Sequence, residues 1–395
     1  MKIKLEKFTP RGIVDAIPSK SYAHRILICN YLASGKIDED NLINSKDILA
    51  TKRCLKALMA DEVLDAGESG STLRFFIPIV SALGGEYTFV GQGKLMSRPN
   101  DELFNCLNEH GVTAKKLGDK ITVNGKLTSG EYKLRGDISS QYFTGLMMTL
   151  PLLEGDSVIV PTTPLVSLPY IFITLEVLKN HGIDIKFDGK TFFIKGGQKY
   201  KTSALKVEGD WSNSAFFLVA GAIAGDITVK GLNFNSAQGD KKIVEILSSA
   251  GATLKIDGDK ITVKKSVIKP FTFDAEDCPD LVPICSILAG VAKGESVIKN
   301  VSRLKIKESD RILSTVEMLK KFGVTAKENS GDLIINGNGG AFTGDNVCAY
   351  NDHRIVMSAG VASLIADNET VIDGYEAVDK SYPSFFDDLY SLRSN

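Results

Sequence analysis

The feature that most constrains the fold of this chain is an internal repeat of about 70 residues. A small turn and a short strand of alternating apolar residues start at positions 85, 155, 225, 294 and 368, so successive starts lie 70, 70, 69 and 74 residues apart. In a second series, a helix-ending glycine at position 111, 182, 251 or 323 precedes two strands that are joined by a polar turn. The two series predict α/β units of the form β-α-β-α-β-β, about five or six in number.

Composition limits the size of the domains and the kind of partner. A chain of 395 residues favours two or three domains. Lys and Arg total 47 and Asp and Glu total 48, so the net charge of −1 argues against a general nucleic-acid binder. It leaves room for a local basic cleft that binds a small anion. Hydrophobic residues make up 43% of the chain, enough for a large core that needs no disulfide or metal.

Targeting and metal-binding patterns are missing from the sequence. Residues 1–6 lack the apolar run of a secretory signal, and no apolar run approaches the ~18 residues that span a bilayer. The six cysteines form no CxxC pair and lie mostly in apolar runs, so we expect buried free thiols and a cytoplasmic protein without a membrane partner. His110 and His181 each precede a helix-ending glycine, which predicts a structural role as cations at helix C-termini.

Candidate binding residues lie in segments that interrupt the repeat, where hydroxyl residues and cations stand together at predicted helix starts. In the first half of the chain these segments are 17–25, 67–74, 97–99, 138–142 and 167–170. A helix N-terminus offers unpaired N–H groups and the positive end of the helix dipole, and both favour anions. Any one segment could be an ordinary helix cap beside surface charges. Their recurrence favours an anion-binding site.

The second half of the chain carries three denser charged segments at 305–311, 351–354 and 379–383. The first two precede apolar helical patterns, as do the segments of the first half. If the helix N-termini converge, the cations form a positive cleft that concentrates small polyanions.

In their order along the chain, these motifs resemble the 5-enolpyruvylshikimate-3-phosphate synthase (3-phosphoshikimate 1-carboxyvinyltransferase) family. The resemblance is carried by Ser19-Lys20-Ser21 with Arg25, Gly70-Ser71-Thr72 with Arg74, Ser139-Ser140-Gln141, Lys307-Glu308-Ser309-Asp310-Arg311, Asn351-Asp352-His353-Arg354 and Lys380-Ser381-Tyr382-Pro383. It implies an α/β fold of two lobes, each of three β-α-β-α-β-β repeats, with the active site in the interlobe cleft. The implied lobes are residues 19–208 and residues 1–18 plus 209–395.

The resemblance also implies an activity. Enzymes of this family transfer the enolpyruvyl group of phosphoenolpyruvate to the 5-hydroxyl of shikimate 3-phosphate and release phosphate, a step of chorismate and aromatic amino-acid biosynthesis. The implied partners are these two small molecules, with no nucleic acid, no metal and no organic cofactor, and the implied state is a monomer.

Carried over residue by residue, the resemblance implies two ligand sets and a catalytic set. The ligands of shikimate 3-phosphate would be Lys20, Ser21, Arg25, Ser139, Ser140, Ser167, Tyr170, Asp280 and Lys307. The ligands of phosphoenolpyruvate would be Lys20, Gly70, Arg98, Gln141, Arg311, Arg354 and Lys380, and His353 would also bind substrate. Asp280 and Glu308 would be the acid–base pair, with Lys20 as a further catalytic residue. Both substrates carry a phosphate and a carboxylate, which suits so many cations.

Two alternatives remain open at this point. The related enolpyruvyltransferases that act on UDP-N-acetylglucosamine carry a cysteine acid shortly before the arginine that matches Arg98, whereas residues 91–97 contain no cysteine. A non-catalytic clamp built of α/β repeats would instead spread basic residues evenly over an inner face and would need no acid–base pair.

Overall fold

The structure, a computed structural model, describes residues 1–37 and 43–393. The helices of these residues alternate with short strands along nearly the whole chain. The helices are α1 (Lys20–Ser34), α2 (Lys46–Ala60), α3 (Gly70–Leu83), α4 (Asp101–Asn108), α5 (Ser140–Thr149), α6 (Leu168–Asn180), α7 (Trp211–Ala224), α8 (Ile243–Ser249), α9 (Val282–Val291), α10 (Arg311–Lys321), α11 (His353–Ser363) and α12 (Phe385–Ser391).

The strands are two to seven residues long. They are β1 (Lys2–Leu5), β2 (Arg11–Asp15), β3 (Leu64–Asp65), β4 (Gly85–Val90), β5 (Val112–Leu117), β6 (Lys120–Gly125), β7 (Glu131–Leu134), β8 (Ser157–Pro161), β9 (Ile185–Phe187), β10 (Phe192–Ile194), β11 (Asp226–Lys230), β12 (Thr253–Asp257), β13 (Lys260–Lys264), β14 (Thr272–Asp274), β15 (Lys293–Lys299), β16 (Thr325–Asn329), β17 (Asp332–Asn338), β18 (Asn346–Cys348) and β19 (Thr370–Asp373).

Three sheets share one order and one pattern of connections. The orders are β3-β4-β6-β5, β7-β8-β10-β9 and β14-β15-β17-β16. The first two strands of each sheet are parallel and are joined through a helix, while the last two form an antiparallel hairpin. This pattern confirms the β-α-β-α-β-β unit that the sequence period predicts.

The N-terminal segment completes two sheets whose other strands come from the second half of the chain. Strand β2 pairs in parallel with β11 in the sheet β12-β13-β11-β2, which thereby acquires the same order as the other three. Strand β1 pairs antiparallel with β19 in the three-stranded sheet β1-β19-β18, with Lys2 opposite Asp373. The first strands of the chain therefore belong with its last repeats.

The chain divides into two compact units. We call residues 20–207 the N-terminal unit, and residues 1–19 with 208–395 the C-terminal unit. The lobes implied by the resemblance, 19–208 and 1–18 plus 209–395, differ from these bounds by one residue at each junction. In the N-terminal unit, α1 and α2 have no sheet of their own among the described residues. A third repeat there would fall partly on residues 38–42, which lie outside the described ones.

Side-chain caps set where the helices of the motifs begin. Ser69 accepts a hydrogen bond from the backbone N–H of Thr72, and Ser139 accepts one from that of Gln141. The apolar pattern alone places the helix of this segment at 145–153. It begins five residues earlier, at Ser140, because Ser139 caps it, and it gives way at Leu150 to a short 3₁₀ turn that contains Pro151.

His181 lies at the end of α6, where the sequence predicts a cation. Its Nδ1 lies 2.7 Å from the carbonyl oxygen of Val177, so the ring does cap the end of α6. Its Nε2 lies 3.1 Å from Oδ1 of Asn30, and burial lowers the pKa of the ring. The ring therefore lies at the helix end as the sequence predicts, and burial opposes the positive charge expected there. Among the six free cysteines, Cys348 alone is exposed.

Candidate active site

Arg311 is the centre of a buried ion cluster in the C-terminal unit. It is the first residue of α10, and its side chain is 1% exposed. Its guanidinium donates to three carboxylates: Nη1 to Asp280 at 2.9 Å, Nη2 to Glu308 at 2.5 Å, and Nε to Asp352 at 2.8 Å. These bonds bring the segments that contain Asp280, Lys307–Arg311 and Asp352 together, although they lie far apart in sequence.

Asp280 lies between the cations of this cluster. Its Oδ2 accepts a hydrogen bond from Nη2 of Arg354 at 2.8 Å, while its Oδ1 accepts the bond from Arg311. Burial by itself would raise the pKa of Asp280, but the charges of Arg354, Lys307 and Arg311 hold the pKa well below its ordinary value. Asp280 is therefore an ionised carboxylate at neutral pH.

Lys307 is a cation in the same environment, so burial and the neighbouring charges act on its pKa in the opposite directions. Burial lowers the pKa of its ammonium group to about 8, although Asp280 and Glu308 act in the raising direction. The ammonium group of Lys307 therefore loses its proton at a pH only slightly above neutral. Arg311 behaves differently, because Asp352, Glu308 and Asp280 outweigh the cost of burial and raise its pKa.

The turn before α11 holds two further predicted residues. Tyr350 and Asn351 have φ values of 52° and 55°, a left-handed conformation that ordinary side chains adopt at a cost. The carbonyl oxygen of Asn351 accepts a hydrogen bond from Nζ of Lys380 at 2.6 Å. His353, the first residue of α11, is buried. The turn thus connects Lys380, through the Asn351 carbonyl, to the start of α11, where Arg354 bonds to Asp280.

Asp240 is a buried carboxyl group beside this cluster that the sequence motifs do not include. Burial raises its pKa to about 7, and the negative charge of Asp280 acts in the same direction, while Arg354 opposes it. The hydroxyl of Ser212, in the first turn of α7, acts in the lowering direction on this pKa. The C-terminal unit therefore holds one carboxyl that is always ionised and one that titrates near neutral pH.

Arg25 plays the central part in the N-terminal unit, but its partners are neutral. Nε donates to Oγ1 of Thr174 at 2.8 Å, and Nη2 donates to Oγ1 of Thr144 at 3.2 Å and to the carbonyl oxygen of Tyr170 at 3.1 Å. Nη1 donates to the carbonyl oxygen of Ser21 at 2.7 Å. These bonds join the starts of α1 and α6, and they leave the charge of Arg25 uncompensated by the groups that receive its hydrogen bonds.

Lys20, the first residue of α1, forms an ion pair with α2. Its Nζ lies 2.7 Å from Oδ2 of Asp47, and both side chains are largely buried. Asp47 lies in the first turn of α2, after the cap Ser45. An anion that approaches Lys20 therefore competes with a carboxylate that is already in place.

The starts of α3 and α5 are joined by Gln141. Its Nε2 donates to Oγ of Ser71 at 2.9 Å, and its Oε1 accepts a hydrogen bond from Nη1 of Arg74 at 2.8 Å. Gly70 begins α3, and a Cβ atom there would lie 2.8 Å from Nη1 of Arg98. A side chain at position 70 would thus displace the guanidinium of Arg98 from this position.

The remaining predicted residues of the N-terminal unit stand at helix starts. Ser139 caps α5 and Ser140 is its first residue. Ser167 precedes α6 in a left-handed conformation with a φ of 54°, and Tyr170 lies in the first turn of that helix. All predicted site residues of this unit thus lie at or near the starts of α1, α3, α5 and α6, except for Arg98, which reaches Gly70 from a loop.

Sequence reasoning did not assign several residues that the geometry places in these groups. Asp352 and Arg74 belong to the quoted motifs and could have been found as the charged members left without a role. Asp47 and Asp240 carry no such signal. Each is an isolated acid whose partner lies in another segment, so only the fold shows that it faces Lys20 or Asp280.

Two further findings concern the described residues as a whole. Within residues 1–37 and 43–393, no group of three or more His, Cys, Asp or Glu side chains is arranged to hold a metal ion. No helix in the described part of the chain is both long enough and apolar enough to cross a bilayer.

Comparison with known proteins connects this geometry to a family. Residues 59–389 match the family model of EPSP synthase (3-phosphoshikimate 1-carboxyvinyltransferase). The 3-phosphoshikimate 1-carboxyvinyltransferase of Clostridium novyi is 39% identical over 98% of this chain and 96% of its own length. That of Clostridium acetobutylicum is 40% identical over 99% of this chain and 97% of its own length.

Solved structures share the fold at lower sequence identity. EPSP synthase from Acinetobacter baumannii superposes with a TM-score of 0.80 at 23% identity and covers 99% of this chain and 98% of its own. The enolpyruvyl transferase NikO from Streptomyces tendae has a TM-score of 0.78 at 16% identity, over 99% of this chain and 97% of its own. These structures support a common fold, and the match of sequence over nearly the full length settles the relationship: the chain belongs to the EPSP synthase family.

Proposed function

We propose that this protein transfers the enolpyruvyl group of phosphoenolpyruvate to the 5-hydroxyl of shikimate 3-phosphate and releases phosphate. It is a transferase of the shikimate pathway, which leads to the aromatic amino acids. Family membership and the curated names of relatives at about 40% identity support this reaction. The single observation of the structure that carries it is the cluster of Asp280, Glu308 and Arg311, because it joins two carboxylates to a cation at helix starts.

We assign the binding of the two substrates to the groups described above. Lys20, Ser21, Arg25, Ser139, Ser140, Ser167, Tyr170, Asp280 and Lys307 bind shikimate 3-phosphate. Gly70, Arg98, Gln141, Arg311, Arg354 and Lys380 bind phosphoenolpyruvate, Lys20 touches both, and His353 contributes to substrate binding. The support is chemical: each substrate has a phosphate and a carboxylate, and the assigned side chains are mainly cations and hydroxyls at helix N-termini.

The reaction requires two proton movements at the same carbon. A proton adds to the vinyl CH₂ of phosphoenolpyruvate, the 5-hydroxyl oxygen bonds to C2, and the hydroxyl proton leaves to a base. A proton then leaves the new methyl group, the double bond re-forms, and the C2–O bond to phosphate breaks. One group must therefore act first as an acid and then as a base.

The electrostatics of the cluster suggest how these roles divide. Because Arg354, Lys307 and Arg311 keep Asp280 ionised, Asp280 has no proton to give to the vinyl carbon, and we assign to it the role of base at the 5-hydroxyl. The same cations make it a weak base, so it takes up the hydroxyl proton as the hydroxyl oxygen bonds to C2. Glu308 accepts a hydrogen bond from Arg311 and is about a quarter exposed, so it is the more accessible of the two carboxyl groups. We therefore assign the proton at the vinyl carbon to Glu308, with Lys20 assisting at the ester oxygen between the substrates.

The proposal also includes that the protein is a monomer that acts in the cytoplasm, without nucleic acid, membrane or cofactor. Size-exclusion chromatography with light scattering tests the monomer at assay concentration.

The decisive experiment measures phosphate release from phosphoenolpyruvate with either of two acceptors. We expect turnover with shikimate 3-phosphate and none with UDP-N-acetylglucosamine. Turnover with the second acceptor alone would overturn the proposal. Absence of phosphate release with both would leave the non-catalytic clamp, which weak binding to DNA at low salt would then support.

A further inference from the structure

A chain of buried side chains in the N-terminal unit connects α1 to the turn before α3. Nδ1 of His24 lies 2.7 Å from Oγ1 of Thr51, and that oxygen lies 2.7 Å from Oγ1 of Thr72. The hydroxyl of Thr72 donates to Oγ of Ser69 at 2.8 Å. All four side chains are buried, and they come from α1, α2, α3 and the cap of α3. We call these four residues the His24 chain.

The direction of the hydrogen bonds in the His24 chain follows from the single hydrogen of each hydroxyl. With the hydrogen of Thr72 directed to Ser69 at 2.8 Å rather than to the carbonyl oxygen of Asp47 at 3.5 Å, the oxygen of Thr72 accepts from Thr51. The oxygen of Thr51 then accepts from Nδ1–H of His24. Burial, with the charges of Lys20 and Arg25, lowers the pKa of His24 well below its ordinary value. The ring is thus a neutral Nδ1–H donor, which is unsuited to binding an anion itself.

One end of the His24 chain joins α1 to α2 one helical turn from the contact that Lys20 makes. Lys20 and His24 lie one turn apart on α1, and their partners Asp47 and Thr51 lie one turn apart on α2. The two helices are therefore joined by two polar contacts of 2.7 Å, one charged and one neutral. An anionic substrate can compete for Lys20 at the charged contact, while the buried neutral contact persists and keeps the helices in register.

The other end of the His24 chain governs the placement of Gly70 and Arg98. Oγ of Ser69 caps α3, and Gly70 is the next residue. The space that a Cβ atom on Gly70 would fill is bordered by the guanidinium of Arg98, so the position of this cap sets how closely the backbone of α3 approaches Arg98. Both ends of the chain thus reach residues assigned above to phosphoenolpyruvate.

We propose that the His24 chain is a positioning device that holds Lys20 at a fixed spacing from Gly70 and Arg98. His24 contacts neither substrate. It acts through the hydroxyls of Thr51 and Thr72. This inference rests on the proposed function, because only that function gives Lys20, Gly70 and Arg98 a common ligand.

The test replaces the middle of the chain with an isosteric apolar group. Thr51→Val removes both hydrogen bonds of the hydroxyl, and we expect the KM for phosphoenolpyruvate to rise about tenfold with a smaller change in the KM for shikimate 3-phosphate and in kcat. Thr51→Ser keeps the hydroxyl and should restore the wild-type KM. Thr149→Val is the matched control, since that buried hydroxyl bonds within its own helix to the carbonyl oxygen of Gly145.

A second pair of variants tests the other end in the same way. His24→Asn places an amide N–H near the position of Nδ1 and should keep most of the affinity, whereas His24→Leu should resemble Thr51→Val. This pair decides the question if Thr51→Val does not fold.

The outcomes separate this inference from the proposed function. If the wild-type protein shows no turnover with the two substrates, the proposed function fails. If it turns over and Thr51→Val keeps its KM for phosphoenolpyruvate, or if Thr51→Ser does not restore a raised KM, or if Thr149→Val raises it equally, the positioning role is overturned.

Discussion

Two buried arginines, one in each unit, show how differently the same side chain can be held. Arg25 donates to two hydroxyls and two carbonyl oxygens, and burial lowers its pKa to about 10. Arg311 donates to three carboxylates, which raise its pKa despite equal burial. The neutral setting leaves Arg25 with charge to offer to an anion, whereas the charge of Arg311 is already balanced.

This contrast extends to the groups around each arginine. In the C-terminal unit three carboxylates (Asp280, Glu308 and Asp352) face three cations (Arg311, Arg354 and Lys307). In the N-terminal unit hydroxyls and helix starts surround Arg25. We infer a division of labour, in which the cations of the N-terminal unit act mainly in binding, whereas those of the C-terminal unit bind substrate and also set the protonation states of the carboxylates assigned to proton transfer.

The largest expected effect comes from removing a proton-transfer group of the C-terminal unit. Glu308→Gln and Asp280→Asn should each lower kcat by at least about 100-fold, because a positioned acid or base contributes about that much or more. The affinity for phosphoenolpyruvate should change little, since neither group attracts anions. Steady-state assays of phosphate release measure both quantities, with Glu328→Gln as a control on an exposed carboxylate. Near-normal turnover of Glu308→Gln would make Glu308 a charge partner of Arg311 only.

The next largest effect should come from removing a cation of the N-terminal unit that is assigned to substrate binding. Lys20→Ala should weaken the binding of both substrates ten- to hundredfold, the scale of about 1.5–3 kcal/mol for a charge-assisted hydrogen bond. Lys46→Ala removes an exposed cation nearby and should change neither affinity by more than about twofold. Calorimetric titration with each substrate is the measurement. Loss of affinity for only one substrate would contradict the assignment of Lys20 to both.

A moderate effect should appear in the pH dependence of kcat/KM, through a lysine of the C-terminal unit. Since burial lowers the pKa of Lys307 to about 8, its charge disappears above that pH, and kcat/KM for shikimate 3-phosphate should decline there. Lys307→Arg should remove the decline, because arginine stays protonated. Asp240, with a pKa of about 7, affects the acid side of the profile instead. A decline that persists in Lys307→Arg would exclude Lys307 as its cause.

Unfolding does not account for that decline. The folded pKa of Lys307 lies below its ordinary value of 10.5, so the unfolded chain binds the proton more strongly between about pH 8 and 10.5. The contribution of Lys307 to the free energy of unfolding therefore grows as the pH rises through this range. Thermal unfolding at the same pH values checks this point.

The smallest effect concerns a neighbour in the same charged motif. Lys305 is about half exposed and pairs with Glu328 at 3.2 Å on the surface. Lys305→Ala should change kcat and both KM values by less than about twofold, because exposed ion pairs contribute about 0–1 kcal/mol. A loss of about tenfold or more would show that the whole segment, rather than its buried members, makes up the site.

The sequence predicts the repeating parts of the fold well, because hairpins and helix ends depend on local residues. The turns of β5–β6, β12–β13 and β16–β17 follow from Gly and Asp between short alternating strands. The N-terminal strands are different. Only the resemblance predicts that the first strand belongs with the end of the chain, since no local pattern indicates that β1 pairs with β19.

For the candidate site, the sequence likewise predicts some features and not others. Motif residues such as Arg311 and Gln141 can be named from the sequence, but their partners cannot. The pairing of Lys20 with Asp47 and the proximity of Asp240 to Asp280 depend on how helices from distant segments pack. The His24 chain is likewise invisible in the sequence, because a threonine on a helix is more often a surface or core residue than a link between helices.

The most direct test of the division of labour compares one cation of the N-terminal unit with one carboxylate of the C-terminal unit. For Arg98→Ala and Glu308→Gln, calorimetry would give the affinity for phosphoenolpyruvate, and rapid-quench experiments at saturating substrates would give the single-turnover rate. We expect opposite losses. Arg98→Ala should lose affinity about ten- to hundredfold and keep most of the rate, whereas Glu308→Gln should keep its affinity and lose at least about 100-fold in rate. If both variants lose the same quantity, the two units do not divide binding from proton transfer.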